Sequence, residues 1–94
     1  MGVIHAEVLW VDRFGNAQLN VDPDDLGPGA TAVSVEFGTT TRTAHIAVTY
    51  ASIGTGAIGL VTDSYGMLSL CLDRRSAADE LGLGPGVSVS LKRL

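Results

Sequence analysis

Val11-Asp12-Arg13-Phe14-Gly15-Asn16-Ala17-Gln18-Leu19-Asn20-Val21 decides how the rest of the chain is read. Residues before Asp12 and after Asn16 are largely apolar and suit strands. Between them stand an acid, an arginine, an aromatic, a glycine and an amide. Asp starts turns, Gly15 supplies an unusual backbone angle, and Asn16 tolerates one too. The stretch therefore reads as a hairpin: a first strand over Val3–Val11, continuous enough in apolar residues to be buried, and a return over Ala17–Val21. The same side chains also suit a ligand. An asparagine amide offers donor and acceptor together, matching an adenine edge. An aromatic ring can pack on a base, and a carboxylate can meet an ammonium group.

Working outward, short strand patterns alternate with turn signals. Asp22-Pro23-Asp24-Asp25 and Gly27-Pro28-Gly29 punctuate a loop. Val33-Ser34-Val35-Glu36-Phe37 alternates, with the valines and Phe37 on one face. Gly38 and Thr39–Thr41 break or turn the chain. Thr43–Tyr50 reads as another strand, with Ala44, Ile46, Val48 and Tyr50 on one face and His45, Ala47 and Thr49 on the other. Ala57–Thr62 and Met67–Asp73 follow; Leu68, Leu70 and Leu72 oppose Ser69, Cys71 and Asp73. Ser76–Leu81 is the one helix candidate, capped by Ser76 and ended by Gly82. After Gly84-Pro85-Gly86, Val87, Val89 and Leu91 alternate with Ser88, Ser90 and Lys92. Six or seven short strands and one short helix near the C-terminus predict a mostly antiparallel small β-barrel. A single domain over residues 1–94, with no linker, is expected.

The totals bound the function. At 94 residues, with 46% apolar residues and 12 glycines, the chain suits one small all-β domain. Such a domain buries roughly 60–65% of its unfolded surface. Net charge is −4, and the six basic residues form no stripe, so no nucleic-acid partner is expected. One cysteine and two isolated histidines support neither a disulfide nor a metal site. No apolar run approaches 18 residues, Ala6 stands where a myristoylation signal has Ser or Thr, and no secretory leader is evident. A cytoplasmic protein without a membrane partner is expected. Gly54-Thr55-Gly56-Ala57-Ile58-Gly59 matches the G-x-G-x-x-G spacing. The dinucleotide fingerprint needs a helix opening there, whereas Leu60-Val61-Thr62 reads as strand, so a turn between two strands is expected instead. Cys71 reads as a small buried thiol and His45 as a bland strand-face histidine. Ser64 lacks a nucleophile elbow, because Thr62 replaces the needed glycine.

Four ordered segments resemble one family. Asp12–Asn16 with Asn20, Thr49-Tyr50-Ala51, Asp63-Ser64-Tyr65-Gly66-Met67-Leu68, and Arg75–Leu83 with the closing Pro85-Gly86-Val87 turn are similar to the C-terminal domain of the SAM hydroxide adenosyltransferases. These SAM hydrolases (adenosine-forming) are relatives of the SAM-dependent fluorinase and chlorinase. The resemblance implies a β-barrel that follows an N-terminal α/β domain in a trimer. SAM would be a substrate rather than a cofactor, bound between that domain and a neighbour's barrel. Activated water would release adenosine and methionine, with no catalytic residue and no metal supplied by this chain. By match, Asp12 and Ser64, with Tyr65 beside it, would meet the methionine end. Asn16 would bond adenine, Tyr50 would stack on it, Phe14 would pack alongside, and backbone near Ala77 would reach the adenine edge. Leu72–Ser76 carries an apparent insertion relative to the halogenating members. Leu19, Asp63 and Ser69 replace the usual threonine, asparagine and glutamate. Tyr65 stands where halogenating relatives have arginine, which favours the hydrolase branch. The expected role is a SAM- or adenosine-binding half-site, inactive without the N-terminal domain. The alternative is a structural or oligomerisation barrel without a ligand.

Overall fold

Seven strands close into a barrel in the computed structural model, which describes residues 2–94; Met1, counted in the expected 1–94 domain, lies outside them. In chain order they are β1 (Ile4–Val11), β2 (Ala17–Leu19), β3 (Ala32–Phe37), β4 (Thr40–Ala47), β5 (Ile58–Thr62), β6 (Leu68–Leu72) and β7 (Ser88–Arg93). Around the barrel they run β1-β2-β6-β5-β4-β3-β7. Closure leaves no unpaired sheet edge. The expected small barrel is thus present, with one parallel pair, β4 against β5, among antiparallel neighbours. Among the described residues, no helix is long and apolar enough to cross a membrane.

The period-two pattern explains which faces turn inward. Val33, Val35 and Phe37 of β3, Leu68, Leu70 and Leu72 of β6, and Val89 and Leu91 of β7 are all buried in one core. The other face of β6 is covered as well: Cys71 packs with Ile53 and Val61 in a second cluster. A short α-helix, α1 (Ala77–Leu81), closes one side as expected. Asp79 N–H donates to Ser76 Oγ at 3.0 Å, and Gly82 ends the helix in the left-handed conformation.

Two expectations need correction. β1 is not buried throughout. Its register with β2 shifts between Val8 and Trp10, and this bulge leaves Leu9 and Trp10 both exposed while Ala6 and Val8 point inward. The strand expected over Thr43–Tyr50 instead occupies Thr40–Ala47. Gly38, at φ 58, opens a two-residue hairpin that pairs Phe37 with Thr40 at once. Val48 is consequently 90% exposed, and Tyr50 begins a short 3-10 turn rather than lying on a strand face. The turn expected at the glycine-rich stretch is present, with Ala57 N–H donating to the Gly54 carbonyl at 3.0 Å, and the two strands it joins are parallel. Residues 48–57 cross over between the parallel β4 and β5. Gly59 lies within β5, where a Cβ would come within 2.6 Å of Ile53 Cγ1, so its lack of a side chain admits the crossover. No helix opens at this glycine stretch, and β5 begins at Ile58.

Candidate ligand-binding site

The DRFGN turn is built on its own aspartate. Asp12 Oδ1 accepts the backbone N–H groups of Phe14 (2.9 Å) and Asn16 (3.0 Å). Asp12 Oδ2 accepts Asn16 Nδ2 at 3.0 Å. Gly15, at φ 84, allows the chain to close, and its N–H donates to the Asp12 carbonyl at 3.0 Å. Gly15 also sits against Ser76 at the start of α1, while its carbonyl accepts Ala78 N–H at 2.9 Å. The turn between β1 and β2 is therefore clamped to α1.

A second turn repeats this construction. Asp63 Oδ1 accepts the N–H groups of Tyr65 (2.9 Å) and Met67 (3.1 Å), and Gly66 takes φ 81. Asp12, Phe14 and Gly15 correspond to Asp63, Tyr65 and Gly66. The flanking registers correspond too: Trp10↔Gln18 and Val11↔Ala17 match Val61↔Ser69 and Thr62↔Leu68. Gln18 and Ser69, equivalent in the two hairpins, face each other where β2 pairs with β6. The two hairpins are thus related by a local two-fold passing between these residues. The symmetry breaks at one position. Asn16 satisfies its own aspartate, whereas Met67 cannot. Asp63 Oδ2 is instead filled from across the sheet by Gln18 Nε2 (2.8 Å) and Ser69 Oγ (3.1 Å). Burial is the largest single influence on the Asp63 carboxyl and would raise its pKa. The bonds from Gln18, Met67, Tyr65 and Ser69 together outweigh it and hold the group below the ordinary range.

Two adjoining open clefts lie beside the turns. One, of about 550 Å³, is lined by Asp12, Phe14, Asn16 and Tyr50, with Arg74, Arg75 and Ser76 along the approach to α1. The other, of about 420 Å³, shares Asp12, Asn16 and Tyr50 and adds Trp10, Gln18, Asp63, Ser64 and Tyr65. Six of the seven residues singled out in the sequence therefore line one continuous groove. The seventh, Ala77, is buried and its side chain lines neither cleft; Ser76 beside it does. Phe14 is 66% exposed, and the Arg13 guanidinium covers one ring face at 4.9 Å from the centroid. Asn16 is only 9% exposed. With one amide hydrogen given to Asp12, its other N–H and its carbonyl oxygen are left for the groove.

The groove is negative at its centre. The Tyr50 hydroxyl is pushed up from its ordinary pKa by burial first, then by Cys71, Asp12 and Asp63. Burial, with Asp12 and Asp63, pushes the Cys71 thiol up to about 12, so it is a neutral, inert thiol, as its sequence context suggests. The sequence reading missed Trp10, Gln18, Arg74 and the pairing of the two turns. Its signal was present: Asp-x-aromatic-Gly occurs at both Asp12 and Asp63.

The sequence matches the model of the SAM hydroxide adenosyltransferase C-terminal domain family over residues 6–90. It is similar to a protein named (R)-S-adenosyl-L-methionine hydrolase from Salinispora tropica, at 36% identity over 81 residues, covering 86% of this chain and 30% of that one. A crystal structure of an uncharacterized conserved protein from Thermotoga maritima superposes with a TM-score of 0.88 at 26% identity, covering 97% of this chain and 36% of that one. A conserved hypothetical protein from Thermus thermophilus gives 0.71 at 33% identity, covering 93% of this chain and 34% of that one. The chain spans about a third of the length of these relatives. It belongs to the SAM hydroxide adenosyltransferase C-terminal domain family.

Proposed function

We propose that this barrel is the nucleoside-recognising half of a binding site for S-adenosyl-L-methionine, completed by an N-terminal α/β domain of the same family. The carrying observation is the unspent amide edge of Asn16, a residue that lines one cleft together with Phe14 and Tyr50. Donor and acceptor in one plane fit adenine, and an aromatic ring beside them fits its face. Asp12 and Ser64 lie toward the adjoining cleft, where the amino-acid end of the ligand would extend. The barrel's matched part of a SAM hydrolase supports SAM as the whole ligand.

In this reading the complete enzyme cleaves SAM with water to adenosine and methionine, and this chain binds and orients without performing the chemistry. It is inactive alone, and a trimer would bring each barrel to a neighbour's catalytic domain. Half a groove encloses little of a ligand, so affinity of the isolated barrel is weak. Calorimetric titration of the chain with adenosine and with SAM tests the proposal, using Tyr50→Ala as control. Saturable binding that disappears in the control is expected. No heat with either ligand at millimolar concentration would leave the barrel as a structural module.

A further inference from the structure

Resting on the half-site reading, we infer that Ile53 is a positioning residue: seated against Gly59, it pins the crossover between β4 and β5 and so sets Tyr50 in the groove. Of residues 48–57, Ile53 alone is buried, Ala57 is half-buried and the rest are exposed. The hydrogen bonds of residues 49–56 stay inside the crossover. Ser52 N–H donates to the Thr49 carbonyl at 3.1 Å, Ile53 N–H to the Tyr50 carbonyl at 3.2 Å, and Ala57 N–H to the Gly54 carbonyl. Ser52 Oγ accepts Thr49 N–H at 3.2 Å and donates to the Thr49 carbonyl at 2.7 Å. Among the described residues, none of these bonds ties the segment to the barrel wall. Apolar packing at Ile53 does.

The seat is shaped for this side chain. Ile53 packs with Val61 and Cys71, beside Ala47 and Ala57. Its Cγ1 and Cδ1 fill the space that a side chain on Gly59 would need, since a Cβ there would lie 2.6 and 2.7 Å from them. One short turn separates the seat from the groove. Tyr50–Ser52 forms the 3-10 turn, and Ile53 closes it through its N–H to the Tyr50 carbonyl. Tyr50 lines both clefts and is 45% exposed, so its place is set by the turn that carries it. A segment held by one buried side chain opens locally before the barrel around it does. A ligand that needs Tyr50 in place then binds in proportion to the closed fraction. Cys71 packs at the seat and lines neither cleft, so its accessibility reports on the crossover without touching the ligand.

Two variants disturb the seat from opposite sides, and neither residue lines the groove. Ile53→Ala empties it, whereas Gly59→Ala fills it and displaces Ile53. Ile53→Val keeps the branched carbons and serves as the conservative rescue. Iodoacetamide labelling of Cys71 and calorimetry with adenosine are measured on the wild-type chain and each variant, while ¹H–¹⁵N resonances of β3 and β7 report on the barrel. Both alanine variants should label Cys71 at least about tenfold faster than wild type, with adenosine slowing the reaction, and should bind adenosine roughly 5- to 30-fold more weakly. The β3 and β7 resonances should stay in place. Ile53→Val should remain within about threefold of wild type in both readouts. Fast labelling with wild-type adenosine affinity would show that Ile53 covers Cys71 without positioning Tyr50; it would overturn the inference and leave the half-site reading intact. Wild-type labelling rates in both alanine variants would overturn it as well. Loss of the whole barrel spectrum in both would make Ile53 an ordinary core residue, against the inference. No adenosine binding by the wild-type chain would overturn both readings.

Discussion

Replacing Asp12 with alanine removes the acceptor on which the whole β1–β2 turn depends. Three hydrogen bonds are lost, and their fates differ. The Phe14 N–H is in an exposed position and can turn to water. The Asn16 N–H and Nδ2 belong to a residue that is nine-tenths buried, and both lose their partner together. Each buried donor left unpaired costs about 1–3 kcal/mol, and partial access to the groove keeps the sum near the low end, about 2–4 kcal/mol. A domain of this length has roughly 5–14 kcal/mol of total stability. At roughly 4–8 °C per kcal/mol, the melting temperature should fall by about 10–30 °C. Thermal melts followed by circular dichroism, with urea titrations beside them, measure this. Asp12→Asn keeps an oxygen for the two backbone N–H groups and should recover part of the loss. A melting temperature for Asp12→Ala within about 3 °C of wild type would refute the claim that this carboxylate organises the turn.

The twin turns make a matched pair of glycine tests. In Gly15→Ala the new Cβ would lie 2.7 Å from Ser76 Cα, a backbone atom, on top of a left-handed φ; a loss of about 3 kcal/mol or more is expected. Gly66→Ala meets nothing within 4 Å and should cost only the backbone strain, about 1–2 kcal/mol; equal losses in urea midpoints would contradict the docking of the first turn on α1. For Asp63, the folded pKa lies below the unfolded one, so its contribution is complete above the unfolded value of 3.8 and is lost as pH falls through the folded value. Asp63→Asn should therefore flatten the decline of stability between about pH 5 and pH 2, and an unchanged acid limb would count against it. Cys71 should resist iodoacetamide at about pH 8 until the chain is unfolded, because the thiol is buried and raised to about 12; rapid labelling of the native protein would show that the cover over β6 opens.

Much of the barrel is visible in local patterns because most strands have one clear inward face. Val33-Ser34-Val35-Glu36-Phe37 and Val87–Lys92 alternate so cleanly that period two leaves little choice. Ser76 and Gly82 bracket α1 through cap chemistry that is local by nature. β4 was harder. Thr40–Thr43 carry no apolar signal, because their side chains face water and the strand is held by its pairing with β3. Val48 and Tyr50 carried a false signal, being large apolar or aromatic residues outside the core. A parallel pair depends on a crossover, here accommodated at Gly59 against Ile53, and no short-range pattern encodes it. In the groove, Asp12, Phe14 and Asn16 were legible because four residues of chain hold them together. Tyr50, Ser64 and Tyr65 entered only through the family resemblance. Trp10 and Gln18 reach the groove through a bulge and a cross-strand pair, both properties of tertiary pairing.

The half-site reading is tested most directly by mapping where adenosine touches the chain. Amide resonances would be assigned and followed in ¹H–¹⁵N spectra as adenosine is added. The account predicts saturable shifts at Phe14, Gly15, Asn16, Tyr50 and Ser76, with the Gly38–Thr43 end of the β3–β4 hairpin unmoved. Shifts centred on that hairpin, or none at millimolar adenosine, would contradict it.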